Sequence, residues 1–235
     1  MQENQEPSTK DQDSPHRLWF LPGLAANHKL FAPQLAELPE AQVLEWIPPE
    51  AEESLAAYAQ RWSQHLDLGP KDILVGMSFG GQVALELAKH LPLKACLLIS
   101  ANRRSQEIRS QFRLQAKVLP RISDSMLRQT FLKVGIPLLK RWESLTDQQV
   151  QWLEEMVEEM DTSFFRWATQ AAAEWDYEFQ ASDFQMPLYQ IHGEKDTIIR
   201  IQNQDEVELL AGASHLLTFT HSKEINQWLK NKSAL

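Results

Sequence analysis

The chain has 235 residues, 43% of them hydrophobic and 23% charged, which is enough for one α/β core with length left for an insertion. A net charge of -9 and the lack of a basic stripe exclude a nucleic-acid surface, which needs Lys and Arg to neutralise phosphates. The single cysteine, Cys96, excludes an internal disulfide, and no apolar run approaches the roughly 20 residues that span a bilayer.

Residues 1–16 are polar, rich in Gln, Glu, Ser and Asp, and lack the apolar stretch of a secretory signal, so they read as a disordered tail. The expected location is cytoplasmic. Strand-like apolar runs then recur, each closed by Gly, Pro or Ser: Leu18–Leu21, Val43–Ile47, Ile73–Val75, Ala95–Ile99 and Leu188–Ile191. Their near-continuous apolarity suits parallel strands covered on both faces. Cys96 lies inside one of these runs and reads as a small buried hydrophobe. Between the runs, helical spacing appears from Glu53 to Leu66 (Leu55, Tyr58, Ala59, Trp62, Leu66) and from Phe79 to Leu91. The closing segment from His221 to Lys232 places Ile225, Trp228 and Leu229 on one face.

From about Asn102 to Asp183 the rhythm of strands stops and only helical patterns remain. Thr146 with Gln149 forms a capping box ahead of Val150–Leu153, and Asp161 is placed to cap a helix beginning near Phe164. The expected division is therefore a core of 17–101 and 186–235, with an all-helical lid of 102–185.

The strongest chemical signal is Gly76-Met77-Ser78-Phe79-Gly80-Gly81, which joins an apolar strand to an amphipathic helix. A serine at such a junction sits on a sharp, strained turn with its hydroxyl above the sheet. Glycine is needed two positions either side, where a side chain would meet crossing backbone. A serine hydroxyl requires a base, and the base an orienting acid. After the next-to-last strand comes His192-Gly193-Glu194-Lys195-Asp196, and further on Gly212-Ala213-Ser214-His215. Asp196 and His215 are the expected acid and base. Glu194 and Asp205 compete for the first role and His221 for the second, while His192 reads as structural. The early loop Leu21-Pro22-Gly23-Leu24-Ala25-Ala26-Asn27-His28 supplies a place for oxyanion donors. The expected pair is the backbone N–H groups of Leu24 and Phe79.

These motifs resemble the α/β-hydrolase superfamily, in the group with an early Pro-Gly loop, a Gly-x-Ser-x-Gly-Gly elbow and a helical cap. The resemblance spans roughly Leu18–Ser100 and Met186–Leu229. It implies a mostly parallel central sheet flanked by helices and acyl-enzyme chemistry on Ser78, with Asp196 and His215 following in chain order. Two features depart from the pattern. The early loop reads Leu-Pro-Gly where many relatives have His-Gly. Only nineteen positions separate Asp196 from His215, so 207–210 is read as the last strand and the helix usually before it as reduced or absent.

An ester or thioester of a small, partly apolar acyl compound is the expected substrate, with no metal and no cofactor. Asn27, His28, Met77 and Trp167 are its candidate contacts, although Asn27 and His28 could equally cap the helix starting near Lys29. The aromatic residues of the lid divide between helix packing and pocket lining. Arg103–Arg104 either holds a substrate anion or is solvated. The rival reading is a hydrolase fold kept as a non-catalytic small-molecule receptor. Oligomeric state is not legible.

Overall fold

The apolar runs assemble side by side into a single sheet. The structure, a computed structural model, describes residues 16–108, 112, 116, 119–201 and 207–234, so the tail expected over 1–16 lies almost wholly outside it. Among the described residues the sheet has six strands, all parallel. Their order is β2 (Gln42–Val43), β1 (Arg17–Leu21), β3 (Asp72–Met77), β4 (Ala95–Ile99), β5 (Leu188–Gly193) and β6 (Glu208–Leu210).

Every residue of β3 and β4 is buried, as their apolar character requires; the one charged member, Asp72, is paired with Arg17. The strand period of two divides these side chains between two cores. Leu21, Leu74, Cys96 and Leu98 pack under α2 (Leu55–Ser63) and α3 (Phe79–Ala88). Leu18, Phe20, Ile73, Val75 and Ile99 face α8 (Leu217–Thr220) and α9 (Ser222–Ser233). Burial pushes the Cys96 thiol up to about 12, so it is an inert part of the first core.

At the sheet edge, β2 is shorter than the run Val43–Ile47 suggests. After Leu44 donates its N–H to the Phe20 carbonyl at 2.9 Å, the chain leaves the ladder. Pro48 and Pro49 have no N–H to continue it. Trp46 instead packs against Trp62, Phe79 and Phe164, with ring centroids 5.2–5.6 Å apart.

Between β4 and β5 the regular elements among the described residues are helices. A single antiparallel bridge, Ile108 to Ile199, is the exception. After the short α1 (Ala32–Glu37) and the two helices above, the insertion adds α4 (Asp124–Thr130), α5 (Ile136–Glu143), α6 (Asp147–Glu159) and α7 (Thr162–Glu174). The capping box of Thr146 and Gln149 forms, and Asp161 accepts from the N–H groups of Ser163 and Phe164. The insertion packs onto the sheet's two cores. Ala168, Ala171, Ala172 and Trp175 join the first core, and the Trp175 indole donates to the buried Glu86 carboxylate at 2.8 Å. Leu145 and Met156 join the second core. Among the described residues, no helix is long and apolar enough to cross a membrane.

Register brings the carboxyl ends of the central strands level: Leu21 pairs with Gly76, Met77 with Ile99, and Ile99 with Ile191. The loops leaving β1, β3 and β5 therefore open on one edge of the sheet, where open α/β folds build their sites.

Candidate active site

Ser78 connects β3 to α3 at φ 54 and ψ -119, a conformation that a residue with a Cβ adopts only under strain. The neighbouring glycines make the turn possible. A Cβ on Gly76 would fall on the Gly80 carbonyl and within 2.6 Å of the Gly81 Cα. One on Gly80 would overlap the Leu21 carbonyl and lie 2.5 Å from that of Pro22. Close approach of α3 to both β3 and the loop after β1 is therefore built on missing side chains. It leaves the Ser78 hydroxyl partly exposed above the strand ends.

His215, in the loop between β6 and α8, brings its Nε2 to 3.1 Å from Ser78 Oγ. Its Nδ1 lies 2.7 Å from Asp196 Oδ2. A carboxylate only accepts, so Nδ1 carries the proton and the Nε2 lone pair faces the serine hydroxyl. Asp196 is itself held firmly: Oδ1 accepts from the N–H groups of Ile198 (2.7 Å) and Ile199 (3.0 Å). Oδ2 also faces His192 Nε2 at 3.1 Å.

Burial alone would disfavour the charged imidazole of His215, and it is the largest single influence on it. The charge and hydrogen bond of Asp196, with a smaller contribution from Glu143, outweigh it, so His215 titrates above the ordinary histidine value. Burial likewise pushes the Asp196 carboxyl up. The two histidines beside it more than reverse this and hold the group well below the usual carboxylate range.

The competitors are engaged elsewhere. Glu194 accepts from the Gly212 N–H at 2.9 Å, and His221 Nδ1 lies 2.9 Å from the Thr220 hydroxyl. Asp205 lies outside the described residues, as do 202–206 in general; no helix occurs in the rest of the Asp196–His215 connection.

The loop after β1 passes close to the serine: a Cβ on Gly23 would lie 3.4 Å from Ser78 Cβ and 3.9 Å from its Oγ. Phe79 opens α3, so its N–H has no partner within the helix. A cleft of about 240 Å³ extends from this loop. Gly23 to Asn27 form one wall, Trp46 to Pro48 a second, and Met156, Met160, Phe164 and Phe165 of the insertion a third. The apolar side chains dominate, while Glu159 and Asp161 place two carboxylates at the rim. Glu159 is tied to Lys29 at 2.5 Å and to the Asn27 amide at 2.8 Å.

Of the four candidate substrate contacts, Asn27 alone lines the cleft. Its side chain also caps the turn that follows, accepting from the Lys29 N–H at 3.0 Å. His28 is exposed and outside the cleft wall. Met77 is a correction: the alternation along β3 turns it away from the serine into the second core, where its sulfur accepts from the Thr218 hydroxyl at 3.4 Å. Trp167 backs the cleft, its indole donating to the Glu53 carbonyl at 2.8 Å and its ring packed on Tyr58 and Phe79. Arg103 and Arg104 lie over the Phe179 ring, 5.0 and 5.9 Å from its centroid, and do not contribute to the cleft wall. Nothing in the sequence marked Trp46, whose place depends on β2 ending early, nor Glu143 and His192 as neighbours of the Ser78–His215–Asp196 relay.

A parallel sheet with a strained serine turn, a histidine on its hydroxyl and a buried carboxylate behind defines a hydrolase. Residues 13–228 match the model of the alpha/beta hydrolase family, and the chain belongs to that family. No curated protein matches the sequence. Among solved structures, an esterase from Thermogutta terrifontis aligns over 93% of this chain and 89% of its own, with TM-score 0.71 and 17% identity. MenH from S. aureus aligns over 94% of each chain (TM-score 0.72, 15% identity). An enol-lactonase from Burkholderia xenovorans LB400 covers 94% and 92% (TM-score 0.66, 15% identity). At these identities the likeness is one of fold.

Proposed function

We propose that the protein is a serine esterase that cleaves esters or thioesters of small, partly apolar acyl compounds through an acyl-enzyme on Ser78. The observation that carries this reading is the continuous relay from Ser78 Oγ through His215 to Asp196, at 3.1 and 2.7 Å. Ser78 Oγ attacks the acyl carbon as its proton passes to His215 Nε2, and Asp196 stabilises the imidazolium that results. The N–H groups of Leu24 and Phe79 receive the oxyanion. His215 then returns its proton to the departing alkoxide or thiolate, and the same base activates the water that releases the acid.

The cleft supports the substrate class. Trp46, Ile47, Phe164 and Phe165 offer an apolar surface to an acyl or alkyl group, in a volume suited to a short one. The carboxylates of Glu159 and Asp161 at its rim, in a chain of net charge -9, disfavour an anionic substrate. Two of the similar folds described above are an esterase and an enol-lactonase, and the same acyl chemistry on Ser78 would serve either bond.

A fluorophosphonate probe together with p-nitrophenyl esters from acetate to laurate tests the reading. Labelling that disappears in Ser78→Ala, with turnover best for short neutral esters, is the expected result. A folded wild-type protein that neither labels nor turns over any ester would favour a non-catalytic receptor and end the proposal.

A further inference from the structure

Glu143 ends α5 and is almost fully buried, at 7% exposure. An acid at a helix C-terminus is opposed by the helix dipole, and among the described residues no Lys, Arg or His forms an ion pair with this one. Its compensation comes from the loop between β6 and α8. Oε1 accepts from the Ser214 hydroxyl at 2.8 Å and from the His215 N–H at 3.0 Å. Oε2 accepts from the Leu216 N–H at 3.2 Å. Three consecutive residues thus donate to one carboxylate, and the middle one carries the imidazole that faces Ser78.

The chemistry of these donors specifies an acid rather than merely a shape. A backbone N–H can only donate, and one points at each oxygen of Glu143. A glutamine of the same size would set its NH2 against the N–H of His215 or of Leu216. The loop is therefore matched to a group that accepts on both sides, as only a carboxylate does.

We infer that Glu143 is a positioning residue through which the helical insertion fixes the orientation of His215 and holds a second negative charge near its imidazole. This rests on the reading of His215 as the general base. Two other groups touch that imidazole, and two further histidines lie in the neighbouring segments. Ser78 reaches it from the turn before α3, and Asp196 from the loop after β5. His192, at the end of β5, acts through Asp196. His221, between α8 and α9, is occupied by the Thr220 hydroxyl. With Asp196 on the ring and Glu143 on its backbone N–H, the imidazolium formed during acyl transfer has two carboxylates close by. Both favour it at the moment the serine proton is transferred, and the Glu143 charge adds to the upward shift of His215.

The test compares pH profiles of ester turnover in Glu143→Gln, Glu143→Asp and Gln149→Ala. Gln149 provides an uncharged tie from the same insertion, its amide donating to the Phe219 carbonyl at 3.0 Å, with no hydrogen bond to residues 214–216 among the described residues. In Glu143→Gln, kcat is expected to fall by about tenfold or more, with KM moving less than about threefold. The acid limb of kcat/KM should move down by about half a pH unit or more. Gln149→Ala should keep the wild-type limb, and kcat within about twofold. Glu143→Asp keeps the charge but is one methylene short, and it carries the test should the glutamine variant fail to fold. Its kcat should drop by about threefold or more with the limb unmoved. An unmoved limb in Glu143→Gln, a wild-type kcat in Glu143→Asp, or an equal loss in Gln149→Ala would each overturn the inference. The two readings fail differently. If His215→Ala retained turnover, the assignment of the base would fall first. If His215→Ala were inactive while Glu143→Gln behaved as wild type, only the role of Glu143 would be lost.

Discussion

Replacing Asp196 by Asn tests the relay with almost no change of shape, and the structure decides which way the new amide must turn. Oδ1 of Asp196 accepts from two backbone N–H groups, those of Ile198 and Ile199, whereas Oδ2 faces two imidazole nitrogens. Backbone N–H groups cannot become acceptors, but an imidazole can move its proton from one nitrogen to the other. The amide oxygen must therefore take the Oδ1 position and the NH2 must face His215 and His192. His215 then has to accept at Nδ1 and carry its proton on Nε2, pointing at the Ser78 hydroxyl it should deprotonate. Loss of the base in this way is expected to lower kcat by about 10³–10⁴-fold, or about 4–5.5 kcal/mol of transition-state stabilisation. The assay is steady-state hydrolysis of a short p-nitrophenyl ester, with fluorophosphonate labelling slowed in parallel. Because both backbone N–H groups keep an acceptor, circular dichroism should show the native fold. A folded Asp196→Asn protein whose kcat stays within about tenfold of wild type would refute the tautomer argument and with it the role of Asp196.

Two further outcomes follow from the same geometry. His215 must be unprotonated to act as a base and its folded value is raised, so kcat/KM should fall as pH drops through a point above about 6.5, the ordinary histidine value. A pH–rate profile with its acid limb below that value would contradict the influence of Asp196 and Glu143 on His215. Gly80→Ala should destabilise the fold by about 2–3 kcal/mol in urea unfolding, because the new methyl meets the carbonyls of Leu21 and Pro22. Alanine gains only about 1 kcal/mol over glycine in helix propensity, so the clash wins. A more stable variant would mean that the loop after β1 yields freely.

Most of the sheet was legible because parallel strands covered on both faces must be apolar throughout, and Ile73–Val75 and Ala95–Ile99 advertise this without knowledge of their neighbours. The serine turn was legible for a related reason: backbone approach as close as that at Gly76 and Gly80 tolerates only glycine, so the chain's composition records the contact. Val43–Ile47 carries the same apolar signature, yet only its beginning pairs. Nothing local says that Trp46 is better satisfied among Trp62, Phe79 and Phe164 than in an edge strand.

By itself the chain determined the central strands, the helices α2 and α3 beside them, where the strained serine falls, and in what order Ser78, Asp196 and His215 appear, since each depends on local spacing or chain order. Only the tertiary structure decided that Met77 faces the core, that Phe164 and Phe165 close the cleft, and that Glu143 grips the His215 loop from 72 positions away. Such contacts join segments with no shared periodicity, and a buried carboxylate at a helix end looks like any solvated one until its donors arrive from another part of the fold.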